Sequence, residues 1–332
     1  MQPFLFQKRL FTKPVFETKA AKQSLYLYPN LMQQIKFFVV LLSFTIGQLA
    51  MGQAKKSVIP FQLTAYNNMV IKAVLNEKDT VQLMFHTAAN ALTLTEDATK
   101  RLKSLVFDQA TEGIKSWGGG TNEARMSNNN SLQIADLQWK GVTITENKNS
   151  GQNTDGKFGI DLFKDKVIEM DFEKNVLIIS KKLPRKLKKY EKLKLTNDND
   201  LLFVEASCEI GDKRFSNKFL IHSGYAGSIL CDDKFANDHQ LEQQLQIIDE
   251  KTLKDSYGNT LKTKKAILPR LKIGSQLLVD VPVGFFAGAL GRQKISVFGG
   301  DILKRFNIVI DAKREFIYLK TNKLSPSKYA NV

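Results

Sequence analysis

Histidine is scarce in this 332-residue sequence, with three copies, and cysteine and tryptophan have two each. Cys208 and Cys231 form no CxxC pair and stand beside no histidine at ligand spacing, so no cysteine-based metal site is expected. Long apolar runs are also missing: the unbroken stretch from Phe37 to Leu42 is followed by a continuation that Ser43, Thr45 and Gln48 interrupt, too short for a comfortable membrane span. Acidic charge is in deficit, with 33 Asp+Glu against 49 Lys+Arg and a net charge of +16. Such a surplus suits nucleic acid or an anionic surface. No arginine-rich motif, aromatic-studded RNA-binding pattern or zinc-finger spacing accompanies it, so no nucleic-acid partner is expected.

What is present is a chain 43% hydrophobic and 25% charged, long enough to bury a core in two domains or lobes. The segment "MQQIKFFVVLLSFTIGQLAMGQAKK" from Met32 places Lys36 before the apolar run and small residues after it, the order of a signal peptide over 32–52. Cleavage after Gly52 leaves Gln53 as the first residue, and cleavage after Ala54 is the other option. The expectation is an exported protein, periplasmic or extracellular, with residues 1–31 an over-extended N-terminus. The competing reading is an uncleaved anchor, and only then would a membrane be a partner. Loss of 1–52 removes six basic residues and one acidic residue and leaves +11. In an oxidising compartment Cys208 and Cys231 could form one disulfide, and two buried free thiols are the alternative.

An internal repeat organises the rest. "GIDLFKDKVIEMD" (159–171) lies over "GGDILKRFNIVID" (299–311) without a gap, and each copy runs into an apolar strand, "NVLIIS" and "EFIYLK". Upstream, "LMFHTAANALTL" matches "LIHSGYAGSIL", with His86 73 residues before Gly159 and His222 77 residues before Gly299. Strand, His-Thr/Ser, turn, strand, then apolar-Gly-x-Asp, twice over, predicts a duplicated all-β fold. The expected copies span 60–180 and 200–322. A solvated basic linker at 181–199 joins them, since "KKLPRKLKKYEKLKL" carries eight basic residues against one acid, and a tail follows at 323–332. "SWGGGTNEARMSNNNS" in the first copy reads as a hairpin, with "DSYGNTLKTKKAIL" as its counterpart.

In this order the chain resembles the aspartic peptidases, in their two-lobed pepsin-like and duplicated bacterial retropepsin-like forms, over roughly residues 60–320. "FHTAANALTL" and "IHSGYAGSIL" are similar to the family's Asp-Thr-Gly and Asp-Ser-Gly loops. "KFGID" and "VFGGD" are similar to the apolar-apolar-Gly element that passes beneath them, with Lys157 a departure. The resemblance implies an all-β, two-lobed β-barrel fold with a few short helices and a cleft that takes a peptide or protein. It implies cleft loops at Ala88, Gly224, Gly159 and Gly299, loop hydroxyls at Thr87 and Ser223, and flap aromatics at Trp117 and Tyr257, with a tryptophan packed within its own hairpin as the other reading of Trp117. It requires no cofactor and no metal. Ala88 replaces the family glycine with a side chain, which raises the question of how tightly the first loop can close.

The resemblance also puts His86 and His222 where the family has its catalytic aspartates. Two close carboxylates share one proton, one acting as base on a water and the other donating to the scissile carbonyl. Two imidazoles cannot reproduce that net charge of about −1. Three readings of the pair stay open: packing at the floor of the cleft in an inactive homologue, an acid/base pair in an unusual hydrolase, or a metal site, for which two histidines are one ligand short. Asp161 with Asp301 and Asp171 with Asp311 recur as pairs and are expected to cap turns. His239 is expected on an exposed helix.

Overall fold

Alternating apolar and polar residues, closed by tight turns, build this molecule strand by strand. The computed structural model describes residues 56–115, 121–151, 153–254, 260–286 and 293–330. The signal-peptide segment, Trp117 and Tyr257 therefore lie outside the described residues.

The first half supplies β1 (Ser57–Pro60), β2 (Gln62–Leu63), β3 (Met69–Leu75), β4 (Asp79–Phe85), β5 (Leu92–Thr95), helix α1 (Glu96–Arg101) and β6 (Gln109–Lys115). It continues with β7 (Thr121–Ile134), β8 (Leu137–Asn147), β9 (Gly156–Phe158), β10 (Val167–Asp171) and β11 (Val176–Ser180). The second half supplies β12 (Glu191–Asp198), β13 (Leu201–Ile210), β14 (Lys213–Ile221), β15 (Ile229–Leu230), α2 (Asp233–Asp238), α3 (Leu241–Gln244) and β16 (Ile247–Lys254). Then come β17 (Thr260–Ile273), β18 (Gln276–Phe286), β19 (Ser296–Phe298), α4 (Gly300–Leu303), β20 (Phe306–Ile310) and β21 (Phe316–Thr321). The order is the same twice. The hairpins β3–β4 and β13–β14, the hairpins β7–β8 and β17–β18, and the closing pairs β10–β11 and β20–β21 correspond.

Each half rolls up into a barrel. The first forms an eight-stranded sheet, β2-β3-β4-β9-β5-β8-β7-β6, closed by pairing of β3 with β7 at Val74↔Gln133. In the second, β13-β14-β19-β15-β18-β17-β16 is closed by β13 against β17. Between the barrels runs a platform, β1-β11-β10-β20-β21-β12, made from both halves. At its centre β10 and β20 pair antiparallel, Ile168↔Ile310 and Met170↔Ile308, the register of an approximate twofold axis. All five residues of β10 and all five of β20 are buried. A strand covered on both faces must be apolar nearly throughout, as "VIEMD" and "FNIVI" largely are.

The basic joint differs from the expected solvated linker. Only a short 3-10 turn, Arg185–Lys189, precedes β12. Glu191–Lys194 of that strand pair with Phe316–Leu319 of β21, and Leu195–Asp198 pair with Leu201–Val204 of β13. β12 thus carries the platform into the second barrel. Leu193 and Leu195 point inward, and Lys192 and Lys194 on the other face point to water.

The tail after β21 docks on the body. Arg305 is 1% exposed and donates to the carbonyls of Ser325 (2.6 Å) and Ser327 (2.8 Å), with its guanidinium 3.7 Å from the Tyr329 ring centre. Cys208 and Cys231 are both buried free thiols. Burial pushes the Cys208 thiol up to about 12, so it remains a packed, protonated apolar group.

Candidate functional site

The two barrels present equivalent loops to each other. β9 inserts between β4 and β5, parallel to the first (Phe85↔Phe158) and antiparallel to the second, and β19 does the same between β14 and β15. The loops after β4 and β14 are thereby held from below: His86 N–H donates to Phe158 O and His222 N–H to Phe298 O, each at 2.9 Å. Gly159 and Gly299 follow these strands because nothing larger fits. A Cβ on Gly159 would lie 1.7 Å from Ala89 O, and one on Gly299 2.1 Å from Gly227 O. The absence of a side chain lets the chain pass directly under each loop.

Thr87 and Ser223 lock the loops together across the two halves. Thr87 N–H donates to Ser223 Oγ and Ser223 N–H to Thr87 Oγ1, both at 3.0 Å. Each hydroxyl then donates to the backbone on the far side, Thr87 Oγ1 to Ile221 O at 2.5 Å and Ser223 Oγ to Phe85 O at 2.7 Å. Both residues are 0% exposed, so every one of these groups would otherwise be a buried, unpaired polar atom.

Above this clamp the two imidazoles meet, with ring centres 4.5 Å apart and planes at 60°. His86 Nδ1 accepts from Ala88 N–H at 3.2 Å, which places the proton of the neutral ring on Nε2. His222 Nδ1 is buried without a hydrogen-bond partner among the described residues. Gly224 gives room for the contact, since a Cβ there would lie 2.2 Å from Cδ2 of His86. Ala88 does not loosen the first loop. Its backbone is free of positive φ, and its methyl packs against the apolar cluster of Leu220, Leu230, Phe286 and Val297.

Burial holds both rings neutral. It pushes His222 down to about 4, with the charge of Lys157 adding to the effect. Burial also drives His86 well below the usual histidine value, reinforced by His222 and then Lys157. Lys157 lies in β9, in register with Met84 and Thr93, where β19 has Val297. Burial lowers its own ammonium to about 8. Among the described residues, the charges that bear on the rings are those of His222 and Lys157 for His86 and that of Lys157 for His222.

Two residues of the site carried no signal in the sequence. Asn67, at φ 60°, and Asn68 close the turn between β2 and β3 and reach into the other half. Asn67 Nδ2 donates to Ala226 O (2.7 Å) and Asn68 Nδ2 to Ser223 O (3.0 Å), so the first barrel grips the second loop from outside. An Asn-Asn pair reads only as a turn until its long-range partners are known.

The remaining candidates divide. Asp171 and Asp311 cap turns as expected, accepting from Glu173 and Lys174 and from Glu315 and Phe316. Asp301 does more than cap. It is 0% exposed and pairs with Lys304 (2.8 Å) and Arg305 (3.4 Å), while accepting from Ser228 Oγ and Ala330 N–H. Lys304 in turn donates to Asn67, so this network also ties the halves together. His239 is half-buried at the end of α2, stacked on Phe215 at 4.2 Å and edge-on to Phe235, rather than standing on an exposed helix. Among the described residues no group of three His, Cys, Asp or Glu could hold a metal ion.

No protein-family model and no curated relative matches this chain. Among solved structures, the aspartic proteinase from Irpex lacteus is similar with a TM-score of 0.55 and 14% sequence identity, over 82% of this chain and 99% of that one. That likeness establishes the fold, the two-lobed all-β barrel architecture of an aspartic peptidase.

Two predictions follow from the clamp and the buried rings. Thr87→Val keeps the volume but strips two buried hydrogen bonds, and is expected to cost about 2–4 kcal/mol in urea unfolding, whereas Thr87→Ser recovers most of the loss. Between about pH 4 and 6.5 the unfolded chain binds a proton on His222 that the folded chain refuses, so stability rises with pH across that window. Against His222→Gln, the wild type should therefore lose about 2–3 kcal/mol more on acidification from pH 6.5 to 4.

Proposed function

We propose that this chain is an exported aspartic-peptidase-like protein in which His86 and His222 stand at the positions of the family's catalytic aspartates. In this reading it lacks the family's proteolytic activity and binds a peptide or protein in the cleft between its lobes. The observation that carries the reading is the pair of imidazoles, ring centres 4.5 Å apart, set on an intact cross-lobe clamp of Thr87 and Ser223. The family's reaction needs an ionised carboxylate to take a proton from water and a protonated one to donate. Two rings kept neutral by burial, beside a lysine, supply neither the negative charge nor a base of useful strength near neutral pH. The clamp, the glycine elements and the barrels keep the frame on which a peptide could lie extended. Export rests on the segment at 32–52. No helix of the described residues is long and apolar enough to cross a membrane.

The competing hydrolase reading draws on the same ring contact, since an imidazole pair can in principle divide the work of base and acid. A diverse peptide library incubated with the protein from Gln53 across about pH 3 to 8, read by mass spectrometry beside a His86→Ala/His222→Ala double variant, separates the two. The proposal predicts no cleavage by either protein at any pH. Cleavage by the wild type that disappears in the double variant would overturn it and make the imidazoles a catalyst.

A further inference from the structure

We propose that the outer face of the platform, with the basic turn that crosses it, is a docking surface for an anionic lipid bilayer. Residues directly opposite one another in a sheet share a face. One row of partners therefore runs across the whole platform: Val58, Ile178, Glu169, Val309, Tyr318 and Lys192. The adjacent row, Ile59, Leu177, Met170, Ile308 and Leu319, faces the other way, into the core. β11 and β12 are separated in the sheet by β10, β20 and β21, so residues 181–190 must cross over those three strands to join them. The ion pair of Lys186 with Glu169, a member of the outward row, fixes the face on which they cross. Val309 in the middle of that row is 0% exposed, as a covered position should be.

The covered face is basic and partly apolar. Lys181, Lys182, Arg185, Lys188 and Lys189 are exposed and make no ion pair among the described residues. Lys56, which the register Ser57↔Ile179 sets opposite Ser180, adds an exposed cation at the edge. The acids of this face are already engaged: Glu169 by Lys186, Asp171 by the turn it caps, and Glu173 by Nδ2 of Asn307 at 2.8 Å. Among the cations stand two exposed aliphatic side chains, Leu183 at 40% and Val58 at 51%, with Ile178 and Tyr318 half-buried. The Lys192 ammonium lies 3.6 Å from the centre of the Phe316 ring, so charge and apolar surface interleave. A nucleic acid or an acidic chain meets the charges but offers nothing to Leu183 and Val58. A bilayer with anionic headgroups attracts the cations and takes the aliphatic groups in among its acyl chains. In sequence, the apolar segment 32–52 runs through Gln53–Lys56 into β1, so the strand carrying Val58 is the first to follow a segment that itself engages a membrane.

The test is co-sedimentation of the protein from Gln53 with lipid vesicles at about 0.1 M salt, where surface charges act over about 10 Å. The inference predicts binding to phosphatidylcholine vesicles containing about 30% phosphatidylglycerol, little to phosphatidylcholine alone, and release as salt rises to about 1 M. A variant carrying Lys181→Gln, Lys182→Gln, Arg185→Gln, Lys188→Gln and Lys189→Gln should bind at least about a hundredfold more weakly. A second variant of the same net charge, altered at exposed lysines of the barrels (Lys72→Gln, Lys78→Gln, Lys103→Gln, Lys213→Gln and Lys218→Gln), should stay within about threefold of the wild type. Leu183→Ser keeps every charge and is expected to weaken vesicle binding about fivefold while leaving binding of polyglutamate unchanged. No vesicle binding by the wild type, or an equal loss in the two charge variants, would overturn this face as the site. Vesicle binding indifferent to Leu183→Ser, or polyglutamate captured by the turn while vesicles are not, would make the partner an acidic chain and overturn the bilayer.

Discussion

Four hydrogen bonds between Thr87 and Ser223 and the backbones facing them hold this molecule's centre together. They join two barrels that share the platform sheet and meet at the loops after β4 and β14. Every group in the clamp is buried, so opening it would strand several donors and acceptors at once. That cost fixes the distance between the loops after β4 and β14, and with it the contact between the imidazoles they carry. The glycines beneath and the asparagines at the flank serve the same end, Gly159 and Gly299 from below and Asn67 and Asn68 from the side.

On that rigid frame the electrostatics run opposite to those of a carboxylate dyad. Two acids in a buried site share a proton because both cannot ionise. Here burial keeps both rings neutral, and the nearby ammonium of Lys157, itself partly desolvated, pushes both further in the same direction. The floor is therefore neutral to positive.

The duplicated fold and the pairing of His86 with His222 were legible in the sequence because both rest on short local phrases: His-Thr/Ser after a strand, and apolar-Gly-x-Asp before one. Thr87, Ser223, Gly159 and Gly299 were legible for the same reason. β12 was hidden by composition, since the lysines on its solvent face outweigh Leu193 and Leu195 in any reading of charge. Asn67 and Asn68 act on partners more than 150 residues away, and no local pattern predicts a long-range hydrogen bond. Asp301 looked like a turn residue because its cations, Lys304 and Arg305, are themselves buried beside it, which only the packing of the tail makes sensible. Lys157 was visible as a departure from an apolar element, but its reach to both rings depends on β9 lying between β4 and β5.

The central claim is that His86 and His222 form a neutral pair held above the Thr87–Ser223 clamp. Nitrogen chemical shifts of the two imidazoles followed against pH test it most directly. The account predicts that both rings stay neutral well into the acid range, with His222 titrating near about 4 and His86 also far below its ordinary value. A midpoint at or above about 6.5 for either ring would mean that a solvated or acid-paired imidazole occupies the site, and would contradict the account.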